Sequence, residues 1–211
     1  MKIVFCDIPM KKELDRHAYK VNGNKTIEYD GEVFVPVNSV LAKTMKQGER
    51  VKVVILSKND VEGNSKVNVE KFQEELNGIN AGIGAQIEYV TLASDFTETR
   101  SVHENLFRQM VAELEEDAEI IADITYGPKP LPIIIFSVMN FAEKYFDADI
   151  KNIIYGKVDF VDDGSGTGKT KTSNPEIYDL TPLYYLNGIT NAMEYRDSEE
   201  AVKALDTLLS L

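Results

Sequence analysis

Short β-rich runs alternate with longer segments of helical periodicity across the middle of the sequence. The runs are Val51–Leu56, Ile87–Leu92, Ile120–Ile124 and Ile150–Tyr155. Between the first two, apolar side chains recur at positions 69, 72, 76 and 79, a spacing typical of one face of a helix. Strands separated by helices of this length pair in parallel, with right-handed crossovers. The pattern therefore predicts an α/β, Rossmann-like fold with a mainly parallel central sheet and flanking helices.

Segments on both sides of this region add strands to the prediction. Lys2–Cys6 is short and apolar enough to be a buried central strand. Thr26–Val37 contains an Asp-Gly pair among β-forming residues, which predicts a β-hairpin inserted after the first strand. Lys157–Val161 and Glu176–Leu180 predict a second inserted β-hairpin around a loop rich in Gly, Thr and Lys.

Three further helices complete the expected domain. Leu131–Phe146 is apolar throughout its first half and predicts a buried helix. Pro182–Tyr195 and Ser198–Leu209 predict two C-terminal helices, the second with Ser198 as its N-cap. A chain of 211 residues can form one continuous core, so residues 1–211 are expected to be a single domain.

The charge and composition limit the partners of the chain. Lys and Arg number 23 against 35 Asp and Glu, a net charge of -12, which repels a long nucleic acid. A small anion can still bind, because local backbone N–H groups and cations act within a pocket. Leu131–Met139, the longest apolar run, is too short to span a membrane. The single Cys6 and the lack of a leader sequence favour the cytoplasm.

The strongest candidate for a ligand site is the turn Asp123–Pro132, between a predicted strand and a predicted helix. Ligands of doubly wound sheets bind at the carboxyl ends of the strands, where this turn lies. Gly127 allows close approach of a ligand, Thr125 and Tyr126 carry hydroxyl donors, and Lys129 carries a cation. The prolines of the turn have no N–H group, so a sharp strand-to-helix turn without a ligand is an equally good interpretation of these residues alone.

Other motifs give weaker indications. Gly164–Thr170 is similar to a phosphate-binding loop, but Asp163 stands where that motif needs its first glycine and no helix follows. A hairpin tip that is dispensable for nucleotide binding is the better interpretation. His17 and His103 lie far apart and accompany a single cysteine, so neither a metal nor a cofactor is expected.

The turn resembles a sequence of the CRISPR-associated Rossmann fold (CARF) domain found in ancillary proteins of type III CRISPR systems. In that family a strand ends in Asp-Ile-Thr-His-Gly-Phe-Arg, followed by a small residue, Leu, Pro and an apolar helix. This chain has Asp123-Ile-Thr-Tyr-Gly-Pro-Lys-Pro-Leu-Pro132, so Tyr126 replaces the His and Lys129 replaces the Arg. The resemblance continues, in order, through four more segments: Ser57–Asn59, Ala93–Thr97, Ile153–Gly156 and Glu176–Leu183.

The resemblance implies a homodimer that binds cyclic tetra- or hexa-adenylate in a pocket shared by the strand ends of both protomers. The helix from Leu131 is expected at or beside the dimer interface, because its first half lacks a clear polar face. Residues 182–211 either close this sensor domain or link it to an effector domain, which family members commonly carry. The ligand-binding residues expected are Asp7, Ile8, Pro9, Met10, Ser57, Lys58, Asn59, Ser94, Thr97, Thr125, Tyr126, Gly127, Pro128 and Lys129.

Two alternatives to a binding module remain open from the sequence. The first is a ring nuclease, in which a 2′-hydroxyl of the ligand attacks the adjacent phosphate without a metal, and Lys129, Thr125 and Tyr126 stabilise the developing charge. The second is a Rossmann-like enzyme with a nucleotide cofactor. That enzyme would need a Gly-x-Gly-x-x-Gly turn where Cys6–Met10 stands, so it is the weakest of the three.

Overall fold

The computed structural model describes residues 1–12, 14–58, 63–95, 97, 99–162, 170–194 and 197–210. The strands are β1 (Lys2–Asp7), β2 (Lys20–Asn22), β3 (Arg50–Lys58), β4 (Gln86–Ser94), β5 (Glu119–Asp123), β6 (Asp149–Asp162) and β7 (Thr170–Asp179). The helices are α1 (Pro36–Thr44), α2 (Asn64–Asn80), α3 (Arg100–Ala112), α4 (Leu131–Phe146), α5 (Thr181–Ala192) and α6 (Ser198–Leu209).

All seven strands form one sheet in the order β2-β7-β6-β5-β1-β3-β4. β1 pairs in parallel with both β3 and β5, and β4 and β6 extend the parallel region on either side. β7 runs antiparallel to β6, and the short β2 pairs in parallel with β7. The predicted Rossmann-like α/β fold, with its mainly parallel sheet, is therefore confirmed.

Helices cover both faces of the sheet, so the central strands are buried on both sides. In β1, Ile3 and Phe5 pack into the core below α3 and α4, whereas Val4 and Cys6 pack into the core below α1 and α2. Alternate side chains of a strand point to opposite faces. This explains why the sequence of β1 is continuously apolar instead of alternating.

The C-terminal half of the fold follows the sequence closely. α4 begins and ends at the predicted residues, Leu131 and Phe146. The second predicted hairpin is present as β6 and β7, although β6 is one continuous strand from Asp149 to Asp162. The predicted fifth strand and the first arm of the hairpin are thus a single element.

The first predicted hairpin, over Thr26–Val37, is wrong. Lys25–Ile27 forms a 3-10 turn and α1 begins at Pro36. Proline is favourable at the first position of a helix, because its missing N–H group needs no partner there and its φ angle is already helical. The next N–H group, of Val37, donates a hydrogen bond of 3.0 Å to Oδ2 of Asp123 on β5. A distant carboxylate thus stabilises the start of a helix where local propensity favours strands.

The predicted N-cap of α6 is wrong by one residue. Asp197, not Ser198, occupies this position, and its carboxylate accepts hydrogen bonds from the backbone of Glu199 and Glu200. A carboxylate satisfies helix N–H groups and also interacts favourably with the helix dipole. None of the helices in the described ranges combines the length and the apolar character that crossing a bilayer requires.

Candidate functional site

A cavity of about 640 Å³ opens at the carboxyl ends of the central strands. Its walls come from the segment after β1, the end of β3 and the turn after β5. The residues that line it are Asp7, Ile8, Pro9, Met10, Lys11, Lys58, Tyr126, Gly127 and Pro128. This position is where doubly wound sheets bind ligands, and the volume lies in the usual range of small-molecule sites.

The structure brings most of the residues predicted for ligand binding to this cavity. Those that line it are Asp7, Ile8, Pro9, Met10, Lys58, Tyr126, Gly127 and Pro128. Those that do not are Ser57, Ser94, Thr97, Thr125 and Lys129. Asn59 and the phosphate-loop-like segment 163–169 lie outside the described residues.

Two residues that shape the cavity were missed in the sequence. Lys11 lines the cavity one residue beyond the predicted set, and its ammonium also lies 5.0 Å from the centre of the Phe160 ring. Asn68 of α2 is buried and donates hydrogen bonds of 2.7 and 2.8 Å to the carbonyls of Pro9 and Lys11. The sequence feature that indicates Asn68 is its place next to Val69, a residue on the predicted buried face of the helix.

Asp123 organises the turn after β5. Its side chain is buried, and its Oδ1 accepts a hydrogen bond of 2.9 Å from the backbone N–H of Thr125, while Oδ2 accepts that of Val37. Burial raises the pKa of Asp123 to about 6, although the hydrogen bonds from Thr125 and Val37 act in the opposite direction. Both oxygens are occupied by the protein, so Asp123 positions the turn and is not a ligand contact.

The hydroxyls of Thr125 and Tyr126 are also engaged within the protein. Oγ1 of Thr125 accepts a hydrogen bond of 2.7 Å from the backbone N–H of Gly156 and also bonds to the Asp123 carboxylate. The hydroxyl of Tyr126 bonds to that of Tyr19, and burial raises the pKa of Tyr126 to about 12. The side-chain hydroxyls expected to bind a ligand therefore already form hydrogen bonds that stabilise the turn.

The backbone of the turn is better suited to an anion than its side chains are. Of its N–H groups, that of Leu131 donates to the carbonyl of Pro128 at 2.9 Å. Those of Tyr126, Gly127 and Lys129 donate no hydrogen bond to any described residue. Successive backbone N–H groups that converge in a turn can bind an anion, and two of these three belong to residues that line the cavity, Tyr126 and Gly127.

Gly127 is required by the shape of this turn. Its φ angle is +98°, which side chains rarely allow. An added Cβ would lie 2.5 Å from Cδ2 of Leu131 and 2.6 Å from Oδ2 of Asp7. Only glycine lets the backbone approach the Asp7 carboxyl so closely.

Asp7 places an ionisable group in the wall of the cavity. Its side chain is only 5% exposed, and Oδ1 accepts a hydrogen bond of 2.9 Å from the backbone N–H of Ile8. Burial raises the pKa of Asp7 to about 7, the bond from Ile8 opposes this change, and the nearby charge of Asp123 adds to it. Burial also raises the pKa of the adjacent Cys6 thiol, which makes Cys6 an unsuitable nucleophile.

A second concave surface lies beside α4 and extends to α3. It encloses about 600 Å³ and is lined by His103, Glu104, Phe107, Arg108, Pro130, Ile133, Ile134 and Ser137. Ile133 is 70% exposed at its edge. The first turns of α4 thus present apolar side chains outward, next to the turn that lines the cavity.

No protein-family model matches this chain. It is similar to the CRISPR-associated protein MJ1674 of Methanocaldococcus jannaschii, with 21% identity over 201 residues, which are 92% of this chain and 29% of that protein. The chain therefore spans less than a third of the length of this relative.

Proposed function

We propose that the chain is a sensor that binds a cyclic oligoadenylate, cyclic tetra- or hexa-adenylate, in CRISPR-related signalling. The observation that carries this proposal is the cavity at the strand ends, which is lined by Lys11 and Lys58 and by Tyr126 and Gly127, whose backbone N–H groups donate to no described residue. The similarity to a CRISPR-associated protein supports a CRISPR-related role. The choice of ligand rests on the resemblance of the turn after β5 to that of CARF domains.

The chemistry of the cavity suits phosphodiesters. Each linkage of such a ring carries one negative charge, which backbone N–H groups and lysine ammonium groups bind through charge-assisted hydrogen bonds. The net charge of -12 does not prevent this, because charges farther than about 10 Å are screened at ordinary ionic strength. The acidic surface instead disfavours long nucleic acids, whose many phosphates extend beyond the cavity.

A ring of four or six nucleotides is larger than one such cavity, so the proposal includes a two-fold homodimer with facing cavities. The apolar surface around Ile133 lies next to the cavity and is the natural contact. Light scattering should give the mass of a dimer for the wild type. Ile133→Glu should give a monomer, because it places a charge in an apolar contact. Val202→Glu, at an equally apolar exposed position of α6, should remain dimeric.

Isothermal titration with cyclic tetra- and hexa-adenylate tests the ligand. Lys11→Ala combined with Lys58→Ala should weaken binding by more than about tenfold, since a hydrogen bond to a charged group contributes about 1.5–3 kcal/mol. Lys129→Ala is expected to weaken binding by at least about tenfold too, because the resemblance aligns Lys129 with the family arginine. Lys43→Ala is the matched control, because this exposed lysine lies in the last turn of α1, at the other end of the helix from Pro36. Equal affinities in all variants would show that the ligand does not bind in this cavity.

The hydrogen bonds within the turn after β5 favour a binding function over ring cleavage. Of the three side chains expected to stabilise charge in a ring nuclease, Thr125 and Tyr126 are already hydrogen-bonded within the protein. Incubation with cyclic tetra-adenylate without added metal, followed by separation of the products, tests this. An intact ring is expected, and linear products with cyclic phosphate ends would contradict a pure binding function.

A further inference from the structure

One carboxyl oxygen in the wall of the cavity, Oδ2 of Asp7, is open to a ligand. Asp7 is buried as a residue, with 5% of its surface exposed, and belongs to the cavity wall. Its Oδ1 accepts the N–H of Ile8, whereas Oδ2 forms no hydrogen bond with any residue that the structure describes. Oδ2 is not one of the fully buried unpaired polar atoms among the described residues, so it can be reached from the cavity and can accept a donor from a ligand.

Oδ2 is a hydrogen-bond acceptor, which limits the ligand groups that can contact it to hydrogen-bond donors. Where Asp7 is ionised, a phosphate against Oδ2 is disfavoured, because two negative charges in contact repel each other strongly where the dielectric is low. The donors that an oligoadenylate offers are the ribose 2′-hydroxyl and the 6-amino group of adenine.

The position of Oδ2 distinguishes between these two donors. It lies so close to Gly127 that an added Cβ there would be 2.6 Å away. The backbone N–H group of Gly127 donates to no described residue, and the proposed function assigns it to a phosphate. In a ribonucleotide the 2′-hydroxyl and the 3′-phosphate are bonded to neighbouring carbons of one sugar. The 6-amino group is at the far edge of the base. An acceptor beside a phosphate site therefore matches the hydroxyl.

We infer that Oδ2 of Asp7 accepts a hydrogen bond from a ribose 2′-hydroxyl of the bound ring and makes the cavity selective for ribonucleotides. This inference rests on the proposed function and deepens it, because it assigns sugar recognition to one residue. The site thus has two parts, with backbone N–H groups and lysines for the phosphate and a carboxylate for the adjacent hydroxyl.

The contact should depend on pH. The ionisable groups around Asp7 are Cys6 on β1, Asp123 on β5, Lys58 at the end of β3, Lys11 after β1 and Tyr126 in the turn. With a pKa near 7, Asp7 is a carboxylate at pH 8 and largely a neutral acid at pH 6. A carboxylate accepts a hydroxyl proton better than a neutral acid does, so affinity for the ribonucleotide ring should fall as the pH is lowered.

The test compares two rings and three proteins. Cyclic tetra-adenylate and its all-2′-deoxy counterpart are titrated into wild type, Asp7→Asn and Asp30→Asn at pH 8 and pH 6, with melting curves to confirm folding. Asp30 is an exposed aspartate and serves as the matched control. At pH 8 the wild type and Asp30→Asn should prefer the ribonucleotide ring by about tenfold or more, and Asp7→Asn should lose most of this preference. Between pH 8 and pH 6 the preference should shrink only in proteins that retain Asp7.

Each contrary result has a separate meaning. Equal sugar preference in wild type and Asp7→Asn would overturn the inference but leave the proposed function intact. A wild-type affinity that rises as the pH falls would also overturn it, because Asp7 would then act as a neutral donor toward phosphate. If neither ring binds the wild type, the proposed function fails, and this inference fails with it.

Discussion

Asp7→Asn should make the free protein more stable at alkaline pH. Burial and Asp123 raise the pKa of Asp7 from 3.8 to about 7, which at 1.36 kcal/mol per pKa unit disfavours the charged form by roughly 4 kcal/mol. The unfolded chain releases this proton near pH 4 and the folded protein near pH 7. Between these values the folded state binds more protons, so stability falls as the pH rises, and the full cost is present above pH 7.

Asparagine removes this charge and can still accept the hydrogen bond from Ile8. Part of the gain is offset, because a buried amide has its own desolvation cost. We expect Asp7→Asn to raise the free energy of unfolding by about 1–3 kcal/mol at pH 8 and by almost nothing at pH 4. Urea unfolding at both pH values measures the difference, with Asp30→Asn as the control that should follow the wild type. A variant destabilised equally at both pH values would refute the reasoning.

Three further substitutions test how the site is built. Gly127→Ala should cost about 1–3 kcal/mol and abolish ligand binding, because its methyl group overlaps two neighbouring side chains at a positive φ angle; melting curves and titration check this. Thr125→Val should cost about 1–3 kcal/mol by removing the acceptor for the Gly156 N–H, and Thr125→Ser should restore it. Lys2→Met should cost about 1–3 kcal/mol in urea unfolding, because the buried Lys2 ammonium lies 2.8 Å from Glu49.

Local sequence signals were sufficient wherever an element depends on its own residues. α4 was predicted to the residue, since an apolar helical repeat begins after a proline-rich turn. The alternation of strands and helices gave the parallel sheet, because only a parallel arrangement accommodates such crossovers. The carboxyl ends of the strands then located the cavity, and most of the expected residues line it.

The errors arose where residues far apart in sequence act together. α1 begins at Pro36 with the help of Asp123, which is 86 positions from Val37, so the local β propensity of Thr26–Val37 was overridden. The segment after β1 is held by Asn68, 57 or more positions away. The hydroxyls of Thr125 and Tyr126 looked available because their partners, Gly156 and Tyr19, belong to distant segments. Periodicity and spacing cannot report such pairs.

The two edges of the sheet differ in length, and this affects how the protein behaves when it is concentrated or partly unfolded. β2 at one edge has three residues, whereas β4 at the other has nine, with Glu88 as its only charged residue. A long edge strand with little charge offers unpaired backbone groups to which another chain can add a strand. Aggregation of concentrated or partly unfolded protein, as distinct from the proposed dimer, should therefore begin at β4. Thr91→Lys, at an exposed position of β4, would place a charge on this edge and disfavour the pairing of another chain, at little cost to the stability of the fold.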